Sequence, residues 1–166
     1  MIYMVEHTIG MPELEAEWSQ WCTAYLERLI AVPGIRAIQR FRSPGTARYL
    51  SMHTVESAAV FDSAAYKASG GGGQASVRFR PAYQAWRRNL FDVAHAAPLV
   101  GQDEVLLVLD GESPGDPAFA WMQSTGLDRS VAWRGLAVAA AAESSARAGA
   151  HPGCVLYAPI AGPFTK

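Results

Sequence analysis

The chain has 166 residues, half of them hydrophobic and 17% charged, which suits one core or two small units sharing one and excludes a disordered chain. Its formal net charge of −1 gives no long-range pull on a polyanion, so nucleic acid is not an expected partner despite local arginine clusters. No segment reaches the ~20 unbroken apolar residues of a membrane span, so no membrane partner is expected.

The opening MIYMVEHTIG has no basic lead and carries Glu6 and His7, so it is not expected to be a signal peptide. Residues 1–9 are short, apolar and β-branched enough for a strand. A helix follows: Pro12 suits its first turn, and Glu13, Glu15 and Glu17 lie near its positive end. Leu14, Trp18, Trp21, Cys22, Tyr25, Leu29 and Val32 recur at steps of three and four, an apolar stripe that Pro33-Gly34 ends. IRAIQRFR (35–42) and RYLSMHTV (48–55) read as a hairpin around Ser43-Pro44-Gly45-Thr46. Glu56 to Ala68 reads as a second helix, stopped by Gly70 to Gly73. NLFDVA (89–94) is read as a fourth strand, with the tail of a helix from Pro81 as the alternative.

VLLVLDG (105–111) starts a second series. A short helix is expected over Asp116 to Thr125, with Trp121 in its packed face, then strands at 130–139 and 153–160. Ala137 to Ala150 is alanine-rich enough to be partly helical. The expected fold is therefore α+β: a ferredoxin-like β-α-β-β-α-β unit over 1–98, then a truncated β-α-β-β unit over 99–166 packed on it.

The four glycines are no phosphate cradle, because Lys67 precedes them, Gln74 and Ala75 follow, and a helix comes first. They read either as a mobile lid over a small-molecule pocket or as a plain surface loop. GxSxG, HExxH and GxGxxG are absent, and Cys22 and Cys154 lack CxxC spacing. Two reduced thiols suit a cytoplasmic protein.

Several short stretches together resemble the dimeric α/β-barrel superfamily, which includes EthD-like and antibiotic-biosynthesis-monooxygenase-like proteins. They are Trp18-x-x-Trp21 in the first helix, VPGIRAIQRFR (32–42), ARYLSMHTVES (47–57) and FDSAAY (61–66). The resemblance implies two four-stranded sheets closing a barrel, usually by homodimerisation, with a ligand cavity between sheet and helices. It also implies a range of activities: cofactor-free monooxygenases, isomerases, lyases, haem-handling members. Some relatives carry a histidine late in the first helix, where Tyr25 stands here.

Alternation along strands puts Tyr3, Val5 and His7 on one face, and Tyr49, Ser51 and His53 on one face of the third strand. If the first and third strands pair, His7 lies near Tyr49 and His53 near Tyr3. The imidazoles are then separated by roughly 13 Å, too far to share a metal ion. A Tyr–His pair on a concave face can move a proton, and His53, then His7, are the catalytic candidates. Tyr3, Tyr49 and Ser51 would orient a substrate, Arg42 would hold a carboxylate, and Tyr83 and Trp86 would wall an aromatic ring. Arg40 and Arg42 otherwise read as a solvated strand edge, and His95 and His151 as solvent-facing. The expected function is a small cofactor-independent enzyme, an isomerase, lyase or monooxygenase, acting by acid/base chemistry on a compact aromatic, enol or lactone-like acid. The alternative is a non-catalytic binder of a small apolar or haem-like ligand.

Overall fold

The computed structural model describes residues 1–166. Eight strands form one closed antiparallel barrel: β1 (Ile2–Ile9), β2 (Ile35–Arg42), β3 (Arg48–Val55), β4 (Tyr83–Phe91), β5 (Glu104–Gly111), β6 (Ala120–Leu127), β7 (Trp133–Ala140) and β8 (Val155–Thr165). Around the barrel they run β1-β3-β2-β8-β5-β7-β6-β4. The first four strands and the last four each follow the same spatial sequence, and β2–β8 and β4–β6 pairings seal the two seams. One chain therefore closes the barrel without a second copy.

Strand alternation sorts side chains into two layers. Ile2 and Met4 of β1, Phe41, Leu50, Met52, Phe91, Leu106, Val108, Met122, Leu136 and Tyr157 fill the lumen. The segment between β4 and β5 plugs one end: Ala97 and Val100 join this cluster, and Gln39 accepts from Val100 N–H at 2.9 Å while donating to its carbonyl at 2.7 Å. At the other end Glu6 points inward, where Arg134, Arg48 and the Tyr157 hydroxyl donate to it at 2.6, 2.9 and 2.7 Å. Arg134 also binds Asp110 at 2.7 Å. Burial pushes the Glu6 carboxyl up, but Arg134, Arg87, the Tyr157 bond and Arg48 overcome it and hold its pKa at about 2.

Helix α1 (Pro12–Leu29) crosses the outer face of the first four strands. It opens with proline in its first turn and Glu13 and Glu15 at its positive end, and Arg28 sits at its negative end. Its stripe buries Trp18, Leu26 and Leu29 against Val5, Ile38, Val55 and Tyr49. The apolar spacing, the first-turn proline and the terminal charges agree, which is why this element is legible in the sequence.

Five expectations are corrected. The segment read as one helix from Glu56 to Ala68 is a 3-10 turn over Ala58–Asp62 and a short helix α2 (Ala64–Ala68), because Ser63 breaks the run and caps α2 by accepting from Tyr66 N–H. The fourth strand starts at Tyr83, earlier than residue 89, and Pro81 lies in a 3-10 turn before it. No helix occupies Asp116 to Thr125: residues 116–119 are a loop and turn, and β6 begins at Ala120, with Met122 and Ser124 buried two residues apart. The one α-helix of the second half, α3 (Ser144–Gly149), follows β7, so this half is not β-α-β-β but three strands, a helix and a strand; alanine-rich 137–150 is partly helical, as expected. Finally, β2 is no solvated edge, because β8 pairs with its free side; Arg40 is 2% exposed. The strand corrections at β2 and β6 share a cause, a pairing partner distant in sequence.

Candidate active site

Between the outer face of the first four strands and α1 lies a cavity of about 450 Å³. Its floor is Tyr3, Val5, His7, Ser51 and His53 from β1 and β3. Its roof is Trp18, Trp21, Cys22, Tyr25, Leu26 and Leu29 from α1, and its rim is the glycine segment, Arg80, Tyr83, Trp86 and Arg88. The site thus sits under the helix, outside the lumen, where the inward side chains pack solidly.

The register places Tyr3 opposite His53 and His7 opposite Tyr49, as the alternation argument expects. The Tyr3 and His53 rings lie 5.0 Å apart. His53 shares a 3.1 Å hydrogen bond between Nε2 and the Ser51 hydroxyl, and its Nδ1 has no partner. His7 stands in an aromatic box: Trp18 and Tyr83 meet it edge-on at 4.9 Å, and Trp86 stacks on it at 5.1 Å. Trp18 Nε1 donates to the Tyr83 hydroxyl at 2.9 Å, which fixes two walls of the box. Both ring nitrogens of His7 are buried without a hydrogen-bond partner.

The electrostatics follow from burial. Desolvation drives the His53 pKa down to about 3. For His7, desolvation and then the nearby Arg40 charge do the same, against a smaller pull from Glu6, and it too falls to about 3. Both imidazoles are neutral at physiological pH. Burial also raises Tyr3, Tyr25, Tyr83 and the Cys22 thiol, so these stay protonated. No carboxylate lines the cavity, and its two charged lining residues are Arg80 and Arg88. Arg88 is held by Asp128 at 2.9 Å.

Of the residues singled out from sequence, Tyr3, His7, Ser51, His53, Tyr83 and Trp86 line this one cavity. Tyr49 and Arg42 do not. Tyr49 is buried behind Trp18 and donates its hydroxyl to Glu15, and Arg42 pairs with the same Glu15 at 2.8 Å on the surface. His95 is exposed in a loop; His151 packs on Phe119 at the far side of the barrel. Trp121 lies on β6 with Nε1 bonded to the Asp116 carbonyl. Sequence reasoning missed the roof: the Trp18–Tyr25 stripe reads as packing, although its unusual share of aromatic and sulfur-bearing residues was the available signal.

Cys22 and Cys154 are unbonded. No three His, Cys, Asp or Glu side chains converge as a metal site, and no helix is long and apolar enough to cross a membrane.

No family model and no curated protein matches the chain. Among solved structures it resembles a candidate monooxygenase from Lactobacillus acidophilus NCFM, with TM-score 0.54 and 10% identity over 99% of this chain and 97% of that one. It also resembles an anthrone oxidase-like protein, with TM-score 0.59 and 12% identity over 96% and 90%. At these identities the likeness shows a shared small α+β barrel fold.

Proposed function

We propose that the protein is a small enzyme of monooxygenase type, acting in the cavity beneath α1 on a flat aromatic or enolic substrate. The observation that carries this reading is His7: a buried imidazole, neutral and with both nitrogens unpartnered, held in a box of tryptophan and tyrosine rings. A lone buried polar group of this kind costs about 1–3 kcal/mol unless something fills its bonds. A substrate hydroxyl or carbonyl does so: the imidazole accepts from an O–H with one nitrogen, or donates to an oxygen through the other. Trp86, Trp18 and Tyr83 then stack around the substrate ring.

The geometry favours His7 over His53 as the reacting group, because His53 is partly committed to Ser51. His7 is a weak base in its resting environment, so its contribution is orientation and hydrogen bonding of an ionisable oxygen. A substrate that binds there as its anion, its proton left in solvent, can pass one electron to dioxygen. The substrate radical and superoxide so formed combine into a peroxide, a cofactor-independent route to oxygenation. The names of the two fold neighbours, candidate monooxygenase and anthrone oxidase-like, agree with that chemistry. We read the matching strand sequence of the two halves as a degenerate duplication of a ferredoxin-like unit, of which only the first retains the long helix that roofs a cavity.

The test is oxygen consumption with a panel of hydroxylated polycyclic aromatics. Turnover by the wild type, reduced ~10²-fold or more in His7→Phe by loss of the hydrogen bond to the substrate oxygen, supports the reading. Binding of the panel without oxygen uptake, or a Soret band in the purified protein, favours the non-catalytic binder instead.

A further inference from the structure

Arg40 is the one deeply buried arginine without a carboxylate. Arg134, fully buried, has Glu6 and Asp110, and half-buried Arg48 has Glu6. Arg40 is 2% exposed and forms no ion pair. Its Nη1 donates to the Ser19 carbonyl at 2.9 Å, the Ser19 hydroxyl at 3.0 Å and the Thr23 hydroxyl at 2.9 Å, all on α1. Its Nη2 is buried with no partner. The guanidinium lies 4.7 Å over Trp18 and 5.1 Å over Tyr49, so ring faces offset part of the desolvation cost. They do not supply a negative charge. Glu15, bound to Tyr49 beyond it, is taken by Arg42.

Every group between Arg40 and the cavity is neutral. Trp18, His7 and Cys22 line the cavity; Trp18 lies against the guanidinium, and the Arg40 charge acts on His7 and Cys22. Tyr83 from β4 and Tyr49 from β3 also face it and are protonated. A buried cation screened only by neutral rings projects its field into the nearest space that can hold an anion. That space is the inner end of the cavity, whose walls contain no acid and whose rim adds Arg80, which forms no ion pair, and Arg88.

We propose that the inner end of this cavity is a site for the oxyanion of a weakly acidic aromatic, with Arg40 as the positioning residue that supplies its countercharge from behind Trp18 and His7. The inference rests on the reading of the cavity as an aromatic-ligand site and adds the charge state of the ligand. His7 serves as donor to the bound oxygen, and Arg40 makes the ionised form of the ligand the favoured one. The same arrangement explains why Arg40 carries no carboxylate of its own: an internal partner would cancel the field.

The experiment uses two probes on the intact chain: naphthalene, followed by tryptophan fluorescence, for an aromatic site, and 4-nitrophenol, whose absorbance separates phenol from phenolate. Bound nitrophenol is expected to titrate about one to two pH units below the free compound, the size of a single charge acting across a partly buried path. Arg40→Met returns the midpoint to the free value, Arg40→Lys keeps most of the shift, and the exposed Arg36→Met leaves it unchanged. Arg40→Met removes an unpaired buried charge and is expected to melt no lower than the wild type. The wild-type midpoint decides even if that variant does not fold. A bound midpoint at or above the free value overturns the inference, as does a shift that persists in folded Arg40→Met; naphthalene binding in either case leaves the aromatic site standing. If neither probe binds, both readings fall together.

Discussion

His7 and Trp86 stack 5.1 Å apart with ring planes 25° from parallel, and Trp86 is the most exposed wall of the box around the imidazole. The pair therefore joins a buried polar group of the cavity to its rim. Trp86→Ala opens that wall. Since Trp86 is 36% exposed, the change is expected to cost little stability but to weaken aromatic binding, by ~1 kcal/mol or more, about fivefold or greater in Kd. Fluorescence titration with naphthalene checks this; an unchanged Kd would remove Trp86 from the site.

Acid should destabilise the protein through both histidines. Each has a folded-state pKa near 3 against an ordinary 6.5, so below pH 6.5 the unfolded chain binds protons that the native state refuses. Their contribution is fully present above about pH 7 and is lost progressively as pH falls from 6.5 towards 3. Between pH 7 and 5 the two together cost on the order of 3 kcal/mol. Glu6, held at about 2, adds a further loss below its ordinary value of 4.5. Urea unfolding at pH 7 and pH 5 measures the slope. His53→Phe should roughly halve the pH 7 to 5 change; a variant as pH-sensitive as the wild type would refute the assignment.

The glycine run makes two different demands. A Cβ at Gly71 would overlap the Tyr66 ring, which lines the cavity, whereas one at Gly72 meets nothing but sits at φ +69°. Gly71→Ala is therefore expected to alter ligand affinity by displacing Tyr66. Gly72→Ala should cost about 1 kcal/mol of stability from the left-handed backbone without displacing Tyr66. Paired melting and binding curves distinguish the two effects, and identical behaviour of both variants would contradict this geometry.

The ionic end of the lumen is a structural demand. Glu6→Ala leaves Arg134, fully buried, with Asp110 alone, and takes an acceptor from Tyr157 and Arg48. A loss of about 3–5 kcal/mol is expected. A melting temperature within a degree or two of the wild type would show that the network is not needed for stability.

Much of the first half was legible because its signals are local. The α1 stripe, the Ser43–Thr46 turn and the two hairpin strands each carry their own period, and the Tyr3–His53 and His7–Tyr49 pairings follow from alternation once β1 and β3 are neighbours. What sequence could not show depends on closure. β8 reaches back to β2 and removes its free edge, and α1 covers Arg40 through Ser19, Thr23 and Trp18. β6 has to bridge β4 and β7, so residues with a helical look around Trp121 become strand. The roof of the cavity was hidden for a related reason: Trp18, Trp21 and Tyr25 pack on one side and line a hollow on the other, and spacing alone does not distinguish packing from lining.

The most direct measurement is the imidazole nitrogen NMR spectrum of the selectively labelled protein during titration with 2-naphthol. The account requires that the ring nitrogens of His7, unpartnered before ligand arrives, shift in proportion to occupancy, while exposed His95 stays fixed. Saturable naphthol binding with His7 unmoved would place the ligand elsewhere and contradict the assignment of the cavity beneath α1 as the active site.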